Sequence, residues 1–207
     1  MKKSKKVELL AELSESIVSD SADVFLLFVD LCDSTEYKQT IVSQGLPDTT
    51  WIFRQLTFLQ RAAKLINQYD GVVVKTIGDE VFAYFEATTE PDHVLKCAIE
   101  IIQSFENLKS YSGKSRINVK ASIDVGLTYN GSLVDVSPFD PIGTPVDRCA
   151  RLNSLAGKND VILSEDFRSA LETSFVKKGQ AMSYKLSSHK KNLKGIGNSK
   201  YYRLTAR

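Results

Sequence analysis

The sequence has few cysteines and histidines, and none of them is spaced as a disulfide framework or a zinc site requires. Cys32, Cys97 and Cys149 are far apart, odd in number and without CxxC spacing, which speaks against both and fits a reducing cytosol. His93 and His189 stand too isolated to suggest catalysis, and a helix start and a surface position are expected for them. No window approaches the roughly 18 apolar residues of a membrane span. The segment VELLAELSESIVSD, after the basic start MKKSKK, is amphipathic and carries Glu8, Glu12 and Glu15, so the unbroken apolar stretch of a signal peptide is missing. Strong charge of one sign is missing too: 27 Lys and Arg stand against 25 Asp and Glu, which argues neither for nor against nucleic acid. There is no internal repeat, low-complexity segment or long linker. A cytoplasmic protein without a membrane span is the expectation.

What is present is one core's worth of apolar sequence, 207 residues at 43% hydrophobic. We expect a basic, amphipathic extension over 1–20 and a single domain over 21–207. VFLLFV (24–29) reads as a strand buried on both faces and ending at Asp30. The segment 47–69 repeats apolar residues at helical spacing (Ile52, Leu56, Leu59, Ala63, Ile66), with Thr and Asp to cap its start. GVVVKTI and EVFAYFE, joined by a tight Gly-Asp step, read as a buried β-hairpin. A second helix follows from Pro91 to residue 108. INVKASIDVGLTY alternates as a strand with one exposed or edge face, and 132–143 as a short strand and Pro-rich loop. A third helix runs from Pro145 to a stop at Gly157, and DVILS and YYRLT add short strands. The order strand, helix, strand, strand, helix, strand predicts an α+β, ferredoxin-like βαββαβ core with C-terminal additions. That fold hosts many functions.

Two acids sit where such a fold places chemistry. Asp30 ends the first strand and Asp79 tips the hairpin; with the first strand central and beside the first hairpin strand, both carboxylates reach one sheet edge. A single Asp at a strand end is ordinarily a turn or cap residue. A convergent pair suits a hard cation such as Mg²⁺, which takes oxygen ligands and shares its shell with substrate phosphates. After Asp30, the turn through Cys32, Asp33, Ser34 and Thr35 either presents backbone N–H groups to an anion or forms an N-cap cluster. Asp147 and Arg151, spaced i, i+4, share a helix face, and an ordinary surface ion pair is the plain alternative for them.

These segments resemble a known family. LLFVDLCDST is similar to the F-x-D-I-x-x-[FS]-T segment of class III nucleotidyl cyclases, and VVKTIGDEVFAYF to their K-x-x-G-D-x-x-[FM]-A segment. The resemblance continues in order through IDVGLTYNG, DPIGTPVDRCARLNSLA, VILSEDF and LKGIGNSKYYRL, over roughly residues 22–205. It implies that Asp30 and Asp79 hold two Mg²⁺ or Mn²⁺ ions, with the Leu31 carbonyl as a backbone ligand. It implies further that Lys75 contacts the nucleobase with Asp140 as its partner acid, that Arg151 stabilises the transition state, and that Lys194 touches phosphate. The family places the metal acids on one protomer and the arginine helix on the other, so a homodimer with two interfacial sites is implied. Cyclisation requires charge neutralisation on both sides of the α-phosphorus, and Arg151 is a cation the acidic pair cannot supply.

The departures from the family pattern are specific. Asp147 stands where most members have the asparagine that positions the ribose, and an acid there repels phosphate unless Arg148 or Arg151 compensates. GLTYNGSLVDVSPFD lacks the longer Gly-rich stretch of adenylate cyclases. The chain has no room for a sensor module, so regulation is expected from outside or from substrate supply. PIGTPVDRCAR, in place of W-G-D-x-V-N-x-A-x-R, resembles stand-alone bacterial pyrimidine cyclases of the Pycsar antiphage type. These make cyclic UMP or cyclic CMP for a downstream effector. Trp51 either narrows the base pocket toward a pyrimidine or is a core or dimer residue. Lys75 with Asp140 suits adenine, so ATP-to-cAMP cyclisation is the alternative, and a degenerate nucleotide-binding module the non-enzymatic one. A diguanylate cyclase lacks support because Ile77-Gly78-Asp79-Glu80-Val81-Phe82 departs from G-G-D/E-E-F. An RNA-binding sheet is disfavoured by acids at its strand ends.

Overall fold

The computed structural model describes residues 20–106, 108, 117–131 and 139–205. The expected extension over 1–20 lies outside the described residues except for Asp20, and so do residues 132–138, where a short strand was expected. Strand β1 (Ser21–Leu31) leads to helices α1 (Ser34–Ser43) and α2 (Thr49–Gln68), the hairpin β2 (Val72–Ile77) and β3 (Glu80–Glu86), helix α3 (Pro91–Glu106) and strand β4 (Val119–Asn130). Then come the two-residue β5 (Pro141–Ile142), helix α4 (Thr144–Asn153), strand β6 (Asp160–Ser164), helix α5 (Glu165–Lys177) and the hairpin β7 (Ser187–Leu193) and β8 (Gly197–Thr205). The sheet order is β2-β3-β1-β4-β6-β8-β7, with β5 paired to β4. Its first four strands are the antiparallel ferredoxin-like core; β6 adds parallel to β4, and the β7–β8 hairpin extends the far edge.

Successive side chains of a strand point to opposite faces, so an unbroken apolar run needs cover on both. In β1, Phe25, Leu27 and Val29 pack with the apolar stripes of α2 (Phe58, Ala62, Leu65, Ile66), α3 and α5. Val24, Leu26 and Phe28 pack on the other face with Phe82, Tyr84 and Cys149 of α4. Asp30 continues the second series, so its carboxylate belongs to the α4 face.

Three expectations change. β1 pairs with β3, the second hairpin strand, and not with the first. β2 is the outer strand and largely exposed, so only half of the hairpin is buried. Asp79 is still delivered beside β1, because a two-residue Gly78-Asp79 turn closes on the Ile77–Glu80 pair with Gly78 at φ 66°. β4 is no edge: it lies between β1 and β6, and its polar residues Ser122 and Asp124 are buried under α4. Helices α1 and α5 and strand β7 were not anticipated. α1 buries only Ile41 and β7 only Leu193, so neither carries an apolar pattern to read.

Candidate active site

The register places a charged row across the end of the sheet. Asp30 pairs with Glu80 of β3 on one side and with Lys120 of β4 on the other. Lys120 Nζ lies 3.0 Å from Asp30 Oδ2. Asn153, at the end of α4, donates to Glu80 Oε2 at 2.8 Å and ties that helix to the hairpin. The Leu31 N–H donates to the Asp79 carbonyl at 3.4 Å, which holds the turn against the end of β1. Burial pushes the Asp30 carboxyl above its ordinary value and the nearby charge of Asp79 adds to this, while Lys120 opposes both. Glu80 is raised as well, again chiefly by burial.

A cleft of about 190 Å³ opens beside this row, lined by Leu31, Ser34, Thr35 and Asp79 together with Tyr37, Lys38, Trp51, Arg54, Gln55 and Gly78. Ser34 and Thr35 sit there because α1 starts immediately after β1. Asp33 turns the chain with φ 56° and caps the helix without a side-chain hydrogen bond. The first helical bond runs from Tyr37 N–H to the Asp33 carbonyl, so the N–H groups of the first turn have no partner within the helix. The Cys32 N–H and the Asp33 side chain are engaged elsewhere. The Cys32 N–H donates to Asn118 at 3.0 Å and its buried thiol is pushed up to about 11 by desolvation, while Asp33 pairs with Lys158 at 2.6 Å.

Lys75 and Asp140 meet at 2.6 Å. A β-bulge makes this possible: Val73 pairs with Ala83, but Lys75 rather than Val74 pairs with Phe82. Without the extra residue Lys75 would stand opposite Val81 and point to the other face. Asp140 is fixed from its own side, since its N–H donates to Asn130 Oδ1 at 3.2 Å and its carbonyl accepts from Gly131 at 2.8 Å. Its second carboxylate oxygen, Oδ1, is buried without a donor.

On α4, Asp147 and Arg151 are both exposed and form no ion pair with each other. The helix is anchored instead by Arg148, which donates from Nε and Nη2 to the buried Asp124 at 2.6 and 2.8 Å and also to Asp166. The Asp124 hydrogen bonds hold Arg148 above the arginine range, while burial raises the Asp124 carboxyl. Two-point hydrogen bonding favours the ionised pair. Lys194 is exposed in the β7–β8 turn, at the opposite sheet edge from the β2–β3 hairpin, and a single protomer does not bring it to Asp79.

The sequence reading missed Lys120, Lys38, Gln55 and Arg54. Lys120 carried no readable signal, because which β4 residue faces Asp30 is set by strand register; Arg54 and Lys38 look like ordinary helix cations until α1 and α2 are seen to share a cleft. The donor set fits a divalent cation. Asp30 and Asp79 feel each other's charge at a sheet edge where the Lys120 ammonium serves as counter-ion, and no group of three or more His, Cys, Asp or Glu converges among the described residues. A hard cation held this way completes its shell with water and phosphate oxygens.

Residues 18–206 match the family model described as the adenylate and guanylate cyclase catalytic domain, and the chain belongs to that family. No protein among the curated sequences matches it. Among solved structures it is similar to the guanylate cyclase domain of RhGC from Catenaria anguillulae in complex with GTP, at 19% identity and TM-score 0.70, covering 90% of this chain and 97% of that one. It is similar also to the adenylyl cyclase CyaB from P. aeruginosa (17%, TM-score 0.70, 89% and 94%). A third is the catalytic core of a rhodopsin-guanylyl cyclase with converted specificity in complex with ATPalphaS (20%, TM-score 0.69, 90% and 96%). These likenesses establish the class III cyclase fold. No helix among the described residues is long and apolar enough to cross a membrane.

Proposed function

We propose that the protein is a pyrimidine nucleotide cyclase, converting CTP or UTP to the 3′,5′-cyclic monophosphate and pyrophosphate. The observation that carries the cyclase reading is the convergence of Asp30, Leu31 and Asp79 at one sheet end, beside a cleft that also holds the α1 N-terminus. In this reading Asp30, Asp79 and the Leu31 carbonyl hold Mg²⁺ or Mn²⁺, two ions per site. When bound, these lower the pKa of the 3′-hydroxyl and neutralise the triphosphate. Ser34 and Thr35 present first-turn N–H groups to phosphate. Lys75 and Asp140 orient the base. Arg151, exposed and unengaged by Asp147, reaches from one protomer to the α-phosphate held by the other, as does Lys194; a homodimer with shared sites follows. Asp147 faces the ribose.

The pyrimidine preference rests on Trp51. It lines the cleft instead of the core, held by its Nε1 donating to Asp48 at 3.0 Å and by Lys38 Nζ 4.1 Å from its ring centroid. Neither Lys75 nor Asp140 lines this cleft, so in the shared site they meet the base from the partner protomer, and a bulky ring at the phosphate side narrows the remaining space and favours a small base. The acceptor Asp140 Oδ1 suits an exocyclic amino group, which cytosine carries and uracil lacks, so CTP ranks above UTP. The same acceptor is the observation that favours a second reading, ATP to cAMP. The likeness of PIGTPVDRCAR to Pycsar cyclases supports a cytoplasmic role in antiphage signalling, with the cyclic nucleotide acting on a separate effector.

The test is incubation of the purified protein with Mn²⁺ and each of the four NTPs. A cyclic pyrimidine product is expected. Cyclic AMP alone would establish the second reading, and no product with any NTP or metal would leave a nucleotide-binding module.

A further inference from the structure

We infer that Arg54 is a polyphosphate-binding residue that holds the departing pyrophosphate from the same protomer as Asp30 and Asp79; the inference rests on the cyclase reading above. Arg54 is 5% exposed and forms no ion pair with a carboxylate among the described residues. Of its five N–H donors, Nη2 reaches the Cys32 carbonyl at 3.2 Å, and its guanidinium carbon lies 4.6 Å from the ring centroid of Tyr37. Its Nε is buried without an acceptor. A cation taken out of water without an anion is costly, and the cost is offset when a ligand brings the anion.

The surroundings say which anion. Arg54 lines the cleft with Ser34, Thr35, Lys38 and Tyr37, whose hydroxyl is likewise buried without a partner. The unbonded N–H groups of the first turn of the ten-residue α1 belong to the same wall. Two buried polar groups, a helix N-terminus and a lysine make the lining donor-rich, whereas Asp79, part of the same lining, repels an anion unless a cation lies between them. This alternation of donors, anion, cation and carboxylate is that of a metal-bound polyphosphate, and a planar guanidinium suits its oxygens. During cyclisation the bond from the 3′-oxygen to the α-phosphorus forms as the bond to the α–β bridging oxygen breaks. The 3′-proton is released, and the electron pair of the broken bond leaves with pyrophosphate. Arg54 there stabilises charge that grows on the leaving group.

The experiment is calorimetric titration of inorganic pyrophosphate, with Mn²⁺, into the full-length protein and into Arg54→Met, Arg54→Lys and Lys64→Met, each with its thermal midpoint. Arg54→Met is expected to lose at least tenfold in pyrophosphate affinity, Arg54→Lys to lose less, and Lys64→Met, exposed on the same helix outside the cleft, to match wild type. Should Arg54→Met not fold, a pyrophosphate affinity of folded Arg54→Lys equal to wild type would overturn the inference. So would a lowered thermal midpoint in Arg54→Met with affinity within twofold of wild type, because Arg54 would then only brace the Cys32 carbonyl. Arg54-dependent pyrophosphate binding in a protein that cyclises no NTP would uphold Arg54 as a polyphosphate-binding residue and remove both its leaving-group role and the cyclase reading. Turnover with Arg54-independent binding would do the reverse.

Discussion

Lys75 and Asp140 are 65 residues apart in the chain and 2.6 Å apart in the fold. The pair joins the outer strand of the sheet to the segment that enters α4, so in the proposed reading a base bound there would be read by two elements at once. Replacing Asp140 with Asn removes the charge but keeps the shape. We expect discrimination between amino-bearing and keto-bearing bases, measured as a ratio of kcat/KM values, to fall by about tenfold, the scale of one hydrogen bond to a charged group. An unchanged ratio would remove Asp140 from base recognition.

Trp51 bears on the same question from the other side. Trp51→Ala enlarges the cleft, and the kcat/KM ratio of ATP to CTP is expected to rise. Equal loss for both nucleotides would mean that the ring only supports α1 through Lys38.

Asp30 and Asp79 face each other's charge in a partly desolvated corner, and in the proposed reading a divalent cation would relieve that repulsion. Mn²⁺ should therefore raise the thermal midpoint of the wild-type protein, because a ligand that binds only the folded state stabilises it, by about 2.7 kcal/mol at a hundredfold excess over Kd. Asp30→Asn and Asp79→Asn are expected to lose this response and turnover together. A full metal-dependent shift in either variant would exclude that residue as a ligand.

The proposed sharing of sites makes a prediction about mixtures. Asp30→Ala and Arg151→Ala chains are each expected to be inactive alone, and mixed dimers to recover activity through one intact site. Mixed dimers that form and stay inactive would place both residues in one protomer's site.

Arg148 and Arg151 lie three residues apart in opposite settings, one paired with a buried acid and the other exposed. Arg148→Ala strands the buried Asp124 and is expected to cost about 3–5 kcal/mol of stability in chemical denaturation. Arg151→Ala is expected to leave the denaturation midpoint unchanged while abolishing turnover. A large stability loss in Arg151→Ala would contradict its exposed, unpaired position.

The elements that alternate or repeat apolar residues strongly, β1, α2, β3, α3 and β6, are legible in the sequence because their burial pattern is written in residue type. Helix α1 and strand β7 were not, since each buries one apolar residue and is held by neighbours distant in sequence. Ser122 and Asp124 misled for a related reason: polar residues on alternate positions of a strand signal solvent, and here they signal a polar contact under α4.

By itself the sequence determined the order of the core elements, the strand-end positions of Asp30 and Asp79, and the face shared by Asp147 and Arg151, since these follow from local periodicity and spacing. The family resemblance had paired Lys75 with Asp140, but only the tertiary structure decided that a bulge turns Lys75 toward it, that Lys120 answers Asp30, and that a buried, incompletely paired Arg54 stands beside the α1 N-terminus. A one-residue bulge reverses a side chain, cross-strand neighbours are set by register, and the cost of a buried charge depends on what packs around it. None of these is a property of a segment read alone.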